Sequence, residues 1–309
     1  MTQRQPLRRG RLAVLIVLSL VLAACGGGES GDTTTTTEET TTTAAETTTT
    51  EATTTTEAPT TTTEAPTTTT TEETGEEVVI YLFVEAEPGF PVVAPVAQSV
   101  MAAEGIEGAA LQALIDGPTE AQTEQVPPLN TAIPEGTRYL GLVIEGGIAT
   151  IDLSSEFESG GGTMSMFSRL AQVVYTATRF PSIEAVQIAL DGEVVDVFSG
   201  EGFDLSEPIT RTFFDGTGLI PEVLLESPAW WQTIDSPVPV NGTTVSGAEL
   251  SWELLDDDGL PISSGDVVAA EDGSFSVEVP YELDRAQVGT IILTGDETSI
   301  ERAFFLTTN

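Results

Sequence analysis

The sequence predicts an α+β domain followed by an all-β sandwich, both behind a disordered threonine-rich linker. Three observations predict it. Residues 78–214 hold a strand-length apolar run and two stretches of helical periodicity. Residues 221–309 hold seven short strand-like runs separated by turns. The stretch ahead of both is nearly free of residues that could fill a core. A chain of 309 residues has room for about two domains.

The N-terminus (1–24) reads as an export signal. Arg4, Arg8, Arg9 and Arg11 form a basic region, and Leu12 to Leu22 is an apolar run of 11 residues. That length suits a signal peptide and falls short of the roughly 20 residues a transmembrane helix needs. The run closes on Leu22-Ala23-Ala24-Cys25, followed by three glycines. Small residues ahead of a cysteine resemble the lipobox of bacterial lipoproteins. The resemblance implies cleavage between Ala24 and Cys25 and a lipid on the Cys25 sulfur. Cys25 is the only cysteine, so no internal disulfide can form. Once the signal is removed, six arginines face 49 acidic residues, a net charge of -43. A basic membrane-binding patch is excluded at that balance, and the lipid must do the anchoring.

Residues 25–77 carry the lipidated cysteine and a stalk. Of the 42 residues from Thr33 to Thr74, 27 are threonine, the rest almost all Glu, Ala and Pro. Like charges, β-branched side chains and prolines favour an extended, solvated chain. It reads equally as an unmodified spacer or as an O-glycosylated stalk. As a flexible coil it spans on the order of 40 Å, holding the folded part away from a membrane.

In residues 78–214, Val78 to Val84 is a continuous apolar run of strand length and reads as a buried strand. Val92 to Met101 reads as a second strand, placed at an edge by Pro95. Ala109 to Ile115 reads as a helix with Ala110, Leu111, Leu114 and Ile115 on one face, stopped by Asp116-Gly117-Pro118. Arg138–Ile144 and Gly147–Leu153 read as a hairpin turning at Glu145-Gly146. Gly160-Gly161-Gly162 opens a longer helix with Phe167, Leu170, Ala171, Val174 and Thr178 on one face, ending near Phe180-Pro181. The three glycines read as a flexible loop in preference to an anion-binding nest, since no phosphate-binding lysine follows. Val186–Leu190 alternates as a strand and turns at Asp191-Gly192 into Val194–Phe198. This order predicts helices on one face of a sheet.

In residues 221–309, beyond an Asp215-Gly216-Thr217-Gly218 break, the runs begin near Val223, Val238, Leu250, Val267, Phe275, Thr290 and Ala303. Asn241-Gly242, Asp258-Gly259 and Asp272-Gly273 read as the turns of a β-sandwich. Trp252 reads as core. Of Trp230-Trp231, one is expected inside the sandwich and the other exposed as a candidate binding aromatic. Asp256-Asp257-Asp258-Gly259 reads as a solvated turn, because Leu254 breaks the alternation a calcium loop needs.

Composition removes several chemistries. With no histidine, Ser-His-Asp and Cys-His relays are excluded and the commonest zinc ligand is missing. With no lysine there is neither a Schiff-base enzyme nor a P-loop. The acidic charge repels nucleic acid. No catalytic residue, cofactor site or metal site is identified. A pair of carboxylates could still cleave a glycan, so a cell-wall glycan hydrolase stands as an alternative, and a solute-binding lipoprotein as another.

Several segments carry a family resemblance. Leu111 to Thr119, Ile133 to Thr137, Gly147 to Ser154 with Phe157, Leu170 to Pro181 and Val186 to Gly192 resemble, in order, the GerMN domain of sporulation and germination proteins. Leu225 to Pro228, Pro237 to Gly242, Leu250 to Leu254 and Asp272 to Phe275 resemble the immunoglobulin-like domain of bacterial spore germination. The resemblance implies a GerMN-like α+β domain and an Ig-like sandwich with no established catalytic residues. It points to a non-enzymatic, lipid-anchored protein on the extracytoplasmic face of the cell membrane. Such a module binds or assembles with envelope proteins or cell wall, self-assembly included.

Overall fold

The computed structural model describes residues 75–87, 90–101, 105–200, 202–296 and 298–308. The expected signal segment, Ala24, Cys25 and the threonine tract lie outside these residues.

β1 (Glu76–Glu87) and β2 (Phe90–Val100) form a long antiparallel hairpin. From Val78 to Phe83 every side chain of β1 is buried, as its unbroken apolar run requires. α1 (Ile106–Asp116) follows and stops at Gly117, whose φ of 83° suits glycine and whose N–H bonds the carbonyls of Ala113 and Leu114. Thr119 then caps the short α2 (Glu120–Glu124) in a capping box with Gln122. β3 (Leu129–Asn130) pairs with Phe83 and Val84 on the far side of β1, giving the sheet order β2-β1-β3.

β4 (Tyr139–Glu145) and β5 (Ile148–Leu153) form a second hairpin. Its turn residues are Gly146 and Gly147, one position later than expected, with φ of 59° and 84°. Two left-handed residues make the twist-matched two-residue turn, which only glycine and a few polar residues tolerate. α3 (Thr163–Ala177) crosses back, and β6 (Ala185–Leu190) lies parallel to β5. β7 (Glu193–Val194) turns back on β6 around Asp191-Gly192, giving the order β4-β5-β6-β7. β8 (Val197–Phe198) and β9 (Phe203–Asp204) form a separate small ladder. The expected strand from Val194 to Phe198 is thus broken, because the Asp196 carbonyl turns away to accept the Leu205 N–H.

The expectation of helices on one face of a single sheet is corrected. The strands divide into two main sheets and the small β8-β9 ladder, and α3 is buried nearly all round, from Met166 and Ser168 to Ala177. The physical reason lies on β1. β3 covers only two of its residues, so the main chain at Tyr81 lacks a strand partner there. α3 takes the strand's place. Thr176 Oγ1 accepts the Tyr81 N–H at 3.0 Å, and Gln172 Nε2 donates to the Tyr81 carbonyl at 3.0 Å. Gln172 Oε1 in turn accepts from the Ala132 N–H at 2.8 Å. These two polar side chains, both fully buried, satisfy main-chain groups that would otherwise be orphaned.

The second region holds eight strands: β10 (Leu224–Ser227), β11 (Thr233–Ile234), β12 (Val238–Thr243), β13 (Glu249–Leu255), β14 (Pro261–Val268), β15 (Ser274–Val279), β16 (Gln287–Thr294) and β17 (Ser299–Leu306). They form two sheets, β10-β12-β15 and β11-β17-β16-β13-β14, with no helix among the described residues of this region. β11 went unpredicted because two residues carry no periodicity. Val238, Val240, Leu250, Leu254, Ile291 and Phe304 fill the space between the sheets, with Trp252 beside them.

Asn241-Gly242 is a correction. The pair sits inside β12 and not in a turn, Asn241 opposite Ser227 and Ser276, Gly242 opposite Leu225 and Phe275. A Cβ at Gly242 would lie 2.0 Å from the Leu224 carbonyl oxygen and 2.8 Å from Phe275 Cζ. The glycine is required by the close approach of a bulged β10. Gly242→Ala is expected to cost about 1–3 kcal/mol by overpacking, read as a lowered urea midpoint at unchanged m-value.

Candidate functional site

The described part has two features beyond its cores: a buried charge cluster joining the two regions, and an open groove. The cluster is built on β10. Leu224 packs into the first core and Leu225 into the second, so one strand serves both. Glu226, at the bulge of β10, points like Leu224 into the first region, where its partners lie. Glu226 is 6% exposed. Its carboxylate accepts from Arg211 Nη1 at 2.5 Å, from Arg179 Nη1 at 3.3 Å, and from the Tyr81 hydroxyl. Arg211 is fixed by Nε to Thr178 Oγ1 at 2.7 Å and lies 4.5 Å from the Tyr175 ring centroid. Burial, then the neighbouring carboxylate, pushes the Tyr81 phenol well above its ordinary value, and burial pushes Tyr175 up to about 12.

A second arginine closes the joint from β17. Arg302, 5% exposed, lies 5.0 Å from the Trp230 ring centroid and donates to the Pro95 carbonyl at 3.2 Å. The Trp230 N–H donates to the same carbonyl, and the Trp230 carbonyl accepts the Ala97 N–H. The expected edge position of Pro95 thus has a physical use. Tyr81, opposite Pro95, turns its main-chain groups to α3, so the missing proline N–H leaves nothing unsatisfied, and the outer edge of β2 is sealed by the second region.

The groove lies between α1, β4 and the end of β2 (98–100, with Met101 after it), with a volume of about 1060 Å³. β4 is the outer strand of its sheet. Its register places Leu142 opposite buried Ile151 and Ile144 opposite buried Ala149, so both face the core side. Yet Leu140 and Ile144 remain 44% and 36% exposed. Glu107 and Asp116 on the α1 side are the charged residues of the lining. Arg138, just before β4, faces Glu156 instead.

The sequence-derived candidates are distributed as follows. Ala24 and Cys25 lie outside the described residues. Neither Trp230 nor Trp231 enters the sandwich core, a correction to the expectation for one of them. Trp230 packs against the first core, and Trp231 Nε1 donates to Gln125 Oε1 at 2.7 Å while its ring lies 5.9 Å from Phe305. The loop opening α3 is held by Arg169. That side chain, 2% exposed, donates to the carbonyls of Phe157 (2.6 Å), Ser159 (3.0 Å) and Gly160 (3.1 Å). Asp256 spends its carboxylate on the turn, accepting the N–H groups of Asp258 and Leu260. Sequence reasoning missed Glu226 and its arginine partners. The available signal was a lone acid inside the apolar run Val223-Leu224-Leu225-Glu226.

Comparison with known proteins gives two family matches. Residues 79–196 match the Germane family, described as sporulation and spore germination. Residues 222–299 match Gmad2, the immunoglobulin-like domain of bacterial spore germination. Among solved structures, the first GerMN domain of the sporulation protein GerM from Bacillus subtilis aligns at 20% identity and TM-score 0.38, covering 44% of this chain and 98% of that one. The tandem GerMN domains of the same protein align at 16% and 0.40, covering 67% and 61%. A putative lipoprotein from Clostridium perfringens aligns at 26% and 0.31, covering 45% and 89%. No curated protein matches the sequence.

The joint makes two measurable statements. Glu226→Ala leaves two guanidinium groups without their anion. It is expected to cost about 2–3 kcal/mol, below the usual value for a buried pair, because Arg179 and Arg211 are 26% and 29% exposed and water screens them. A chemical-denaturation series checks it. The second statement concerns pH. The folded state keeps the Tyr81 proton where an unfolded chain loses it near pH 10, so this stabilisation is complete below about pH 10 and falls as pH rises. Melting temperature should decline above about pH 10, and Tyr81→Phe should flatten that decline while costing about 1–3 kcal/mol at neutral pH. Equal alkaline slopes in the two proteins would refute the assignment.

Proposed function

We propose that this chain, which belongs to the sporulation and spore germination family through its GerMN domain and continues into the immunoglobulin-like domain of bacterial spore germination, is a non-enzymatic envelope lipoprotein. Cys25 carries its lipid, the threonine-rich stalk spaces it from the membrane, and the two domains work on the extracytoplasmic face as one binding and assembly body. Its partners are envelope proteins or cell wall.

The observation that carries this reading is the joint at Glu226. A flexible tether would let the two domains act separately. Here β10 serves both cores, and Glu226, Tyr81, Arg211 and Arg302 are spent against one another and against main chain. Strongly perturbed groups of this kind are often catalytic, but these are turned inward on structural partners. A rigid two-domain body on a tether suits presentation of a surface better than turnover. The lipobox-like Leu22-Ala23-Ala24-Cys25 and the stalk supply the rest of the support.

The test is made on the membrane. In the native host, the chain is expected in the membrane fraction, its N-terminal peptide beginning at Cys25 with a diacylglyceryl mass increment. Cys25→Ala is expected to remove the increment and leave the precursor uncleaved at that site. An unmodified Cys25 peptide in the wild-type protein would end the lipoprotein reading.

A further inference from the structure

We propose that the groove between α1 and β4 takes an extended, lysine- or arginine-bearing segment of a partner protein, which adds to β4 as a further strand. This rests on the reading of the chain as a binding module and names the chemistry of what it binds.

The main chain of β4 is the first argument. Its two-residue turn is closed by Glu145 and Ile148, which in such hairpins exchange both of their hydrogen bonds. Counting back, Val143 bonds β5 as well, whereas Ile144 and Leu142 turn their N–H and C=O groups to the outer edge. Among the described residues, no main-chain or side-chain bond meets those groups. A free edge presents a ready template for another strand, and natural proteins blunt such edges with lysine, proline or covering elements. β4, Tyr-Leu-Gly-Leu-Val-Ile-Glu, carries no lysine and no proline, and its bulge lies between Tyr139 and Gly141, leaving Leu142 to Glu145 in regular register.

The side chains give the second argument. Leu142 and Ile144 are on the core side of the sheet, but they reach the groove because β4 is outermost; α1 meets β4 at its Tyr139 end, where the tyrosine hydroxyl lies against Gly108. An extended segment laid along β4 would cover them with its alternate side chains while its main chain takes the edge. Strand addition beside a helix is an established mode of peptide recognition, in which the main chain supplies affinity and the pockets supply choice. A helix in the groove could not meet the outward N–H and C=O groups. Seven residues of β4 correspond to a contact about 23 Å long.

Charge selects the occupant. The lining carries Glu107 and Asp116 and no basic side chain, and Glu145 stands at the turn end of β4. A cationic segment gains from this, and an anionic one is excluded. A second copy of this chain is the wrong partner. Five of its six mature arginines are already engaged: Arg169 by carbonyls, Arg179 and Arg211 by Glu226, Arg302 by Pro95 and Arg285 by Asp257. Apart from exposed Arg138 and the ion-paired Arg285, the charge that remains for the surface is acid. The chain's own stalk is wrong for the same reason, since it has glutamates and no basic residue.

The experiment selects a random heptapeptide library, displayed on phage, against the purified full chain in detergent. Expected is enrichment of sequences in which Lys or Arg alternates with aliphatic residues. A synthetic copy should bind more than tenfold more weakly to a Glu107→Arg/Asp116→Arg double variant, and should lose binding when its alternate amides are N-methylated. The helix dipole favours the cation placed at the end of α1 by the reversal at Asp116 and opposes the one placed in its first turn at Glu107; the two effects are of similar size and largely offset, so this variant should keep its fold. Ile144→Pro removes one outward N–H and should weaken binding similarly; the N-methylated peptide tests the same bond without touching the protein. No enrichment, enrichment of peptides without basic residues, binding indifferent to both the charge reversal and N-methylation, or displacement of peptide by self-association would each overturn the proposal. The measurement is independent of lipidation, so its failure leaves the Cys25 anchor standing, and failure of the anchor leaves the groove standing.

Discussion

One carboxylate holds the described structure together. Glu226 is an acid inside an apolar strand, and burying it without partners would cost several kcal/mol. Two guanidinium groups and a phenol from the first region meet it, so the strand that begins the sandwich can bury one face against each core. The remainder of the contact follows. With β10 fixed, Trp230 reaches the edge of β2, and Arg302 on β17 reaches the Pro95 carbonyl and the Trp230 ring. The phenol that completes the cluster belongs to Tyr81, whose main chain is held by Thr176 and Gln172 of α3. The packing of α3 and the docking of the sandwich therefore meet at one residue.

This arrangement explains how so acidic a chain uses its few cations. In a chain with a net charge of -39, basic side chains scattered over the surface would lower the self-repulsion most. Instead Arg169, Arg179, Arg211 and Arg302 are spent on buried carbonyls, a buried carboxylate and aromatic faces, where the planar fork of arginine binds several groups at once. The surface is left to the acids. The open edge of β4 lies within that anionic field, with Glu107 and Asp116 as the charged residues beside it.

Much of the fold could be read from local pattern. The apolar run at Val78 to Val84, the stop at Gly117-Pro118, the glycines beside Glu145 and the alternation through Leu250 to Leu254 each carry their own physical cause, and the structure places strand, helix end, hairpin and strand there. The errors share one cause as well. Asn241-Gly242 has the composition of a turn, yet the glycine serves a close approach by β10, a strand 17 residues away in sequence. The face from Phe167 to Thr178 marked one buried side of α3, but Gln172 and Thr176, outside that face, are buried as well because β1 lacks a partner at Tyr81. One of Trp230-Trp231 reads as sandwich core, yet neither ring enters it, and Trp230 packs against the first core instead.

Sequence alone determined the order of the longer elements, though not of the short α2, β3 and β11, together with their helical or extended character, the two successive architectures and the chemistries excluded by the absence of histidine and lysine. Those follow from periodicity, turn residues and composition, which are local or additive. Only the tertiary structure decided which polar residues would be buried, that one strand would serve two cores, and which edge would stay open. Those outcomes depend on partners 95 or 145 residues apart, as Tyr81 with Thr176 and with Glu226, and on unmet main-chain groups that exist only once the strands have paired.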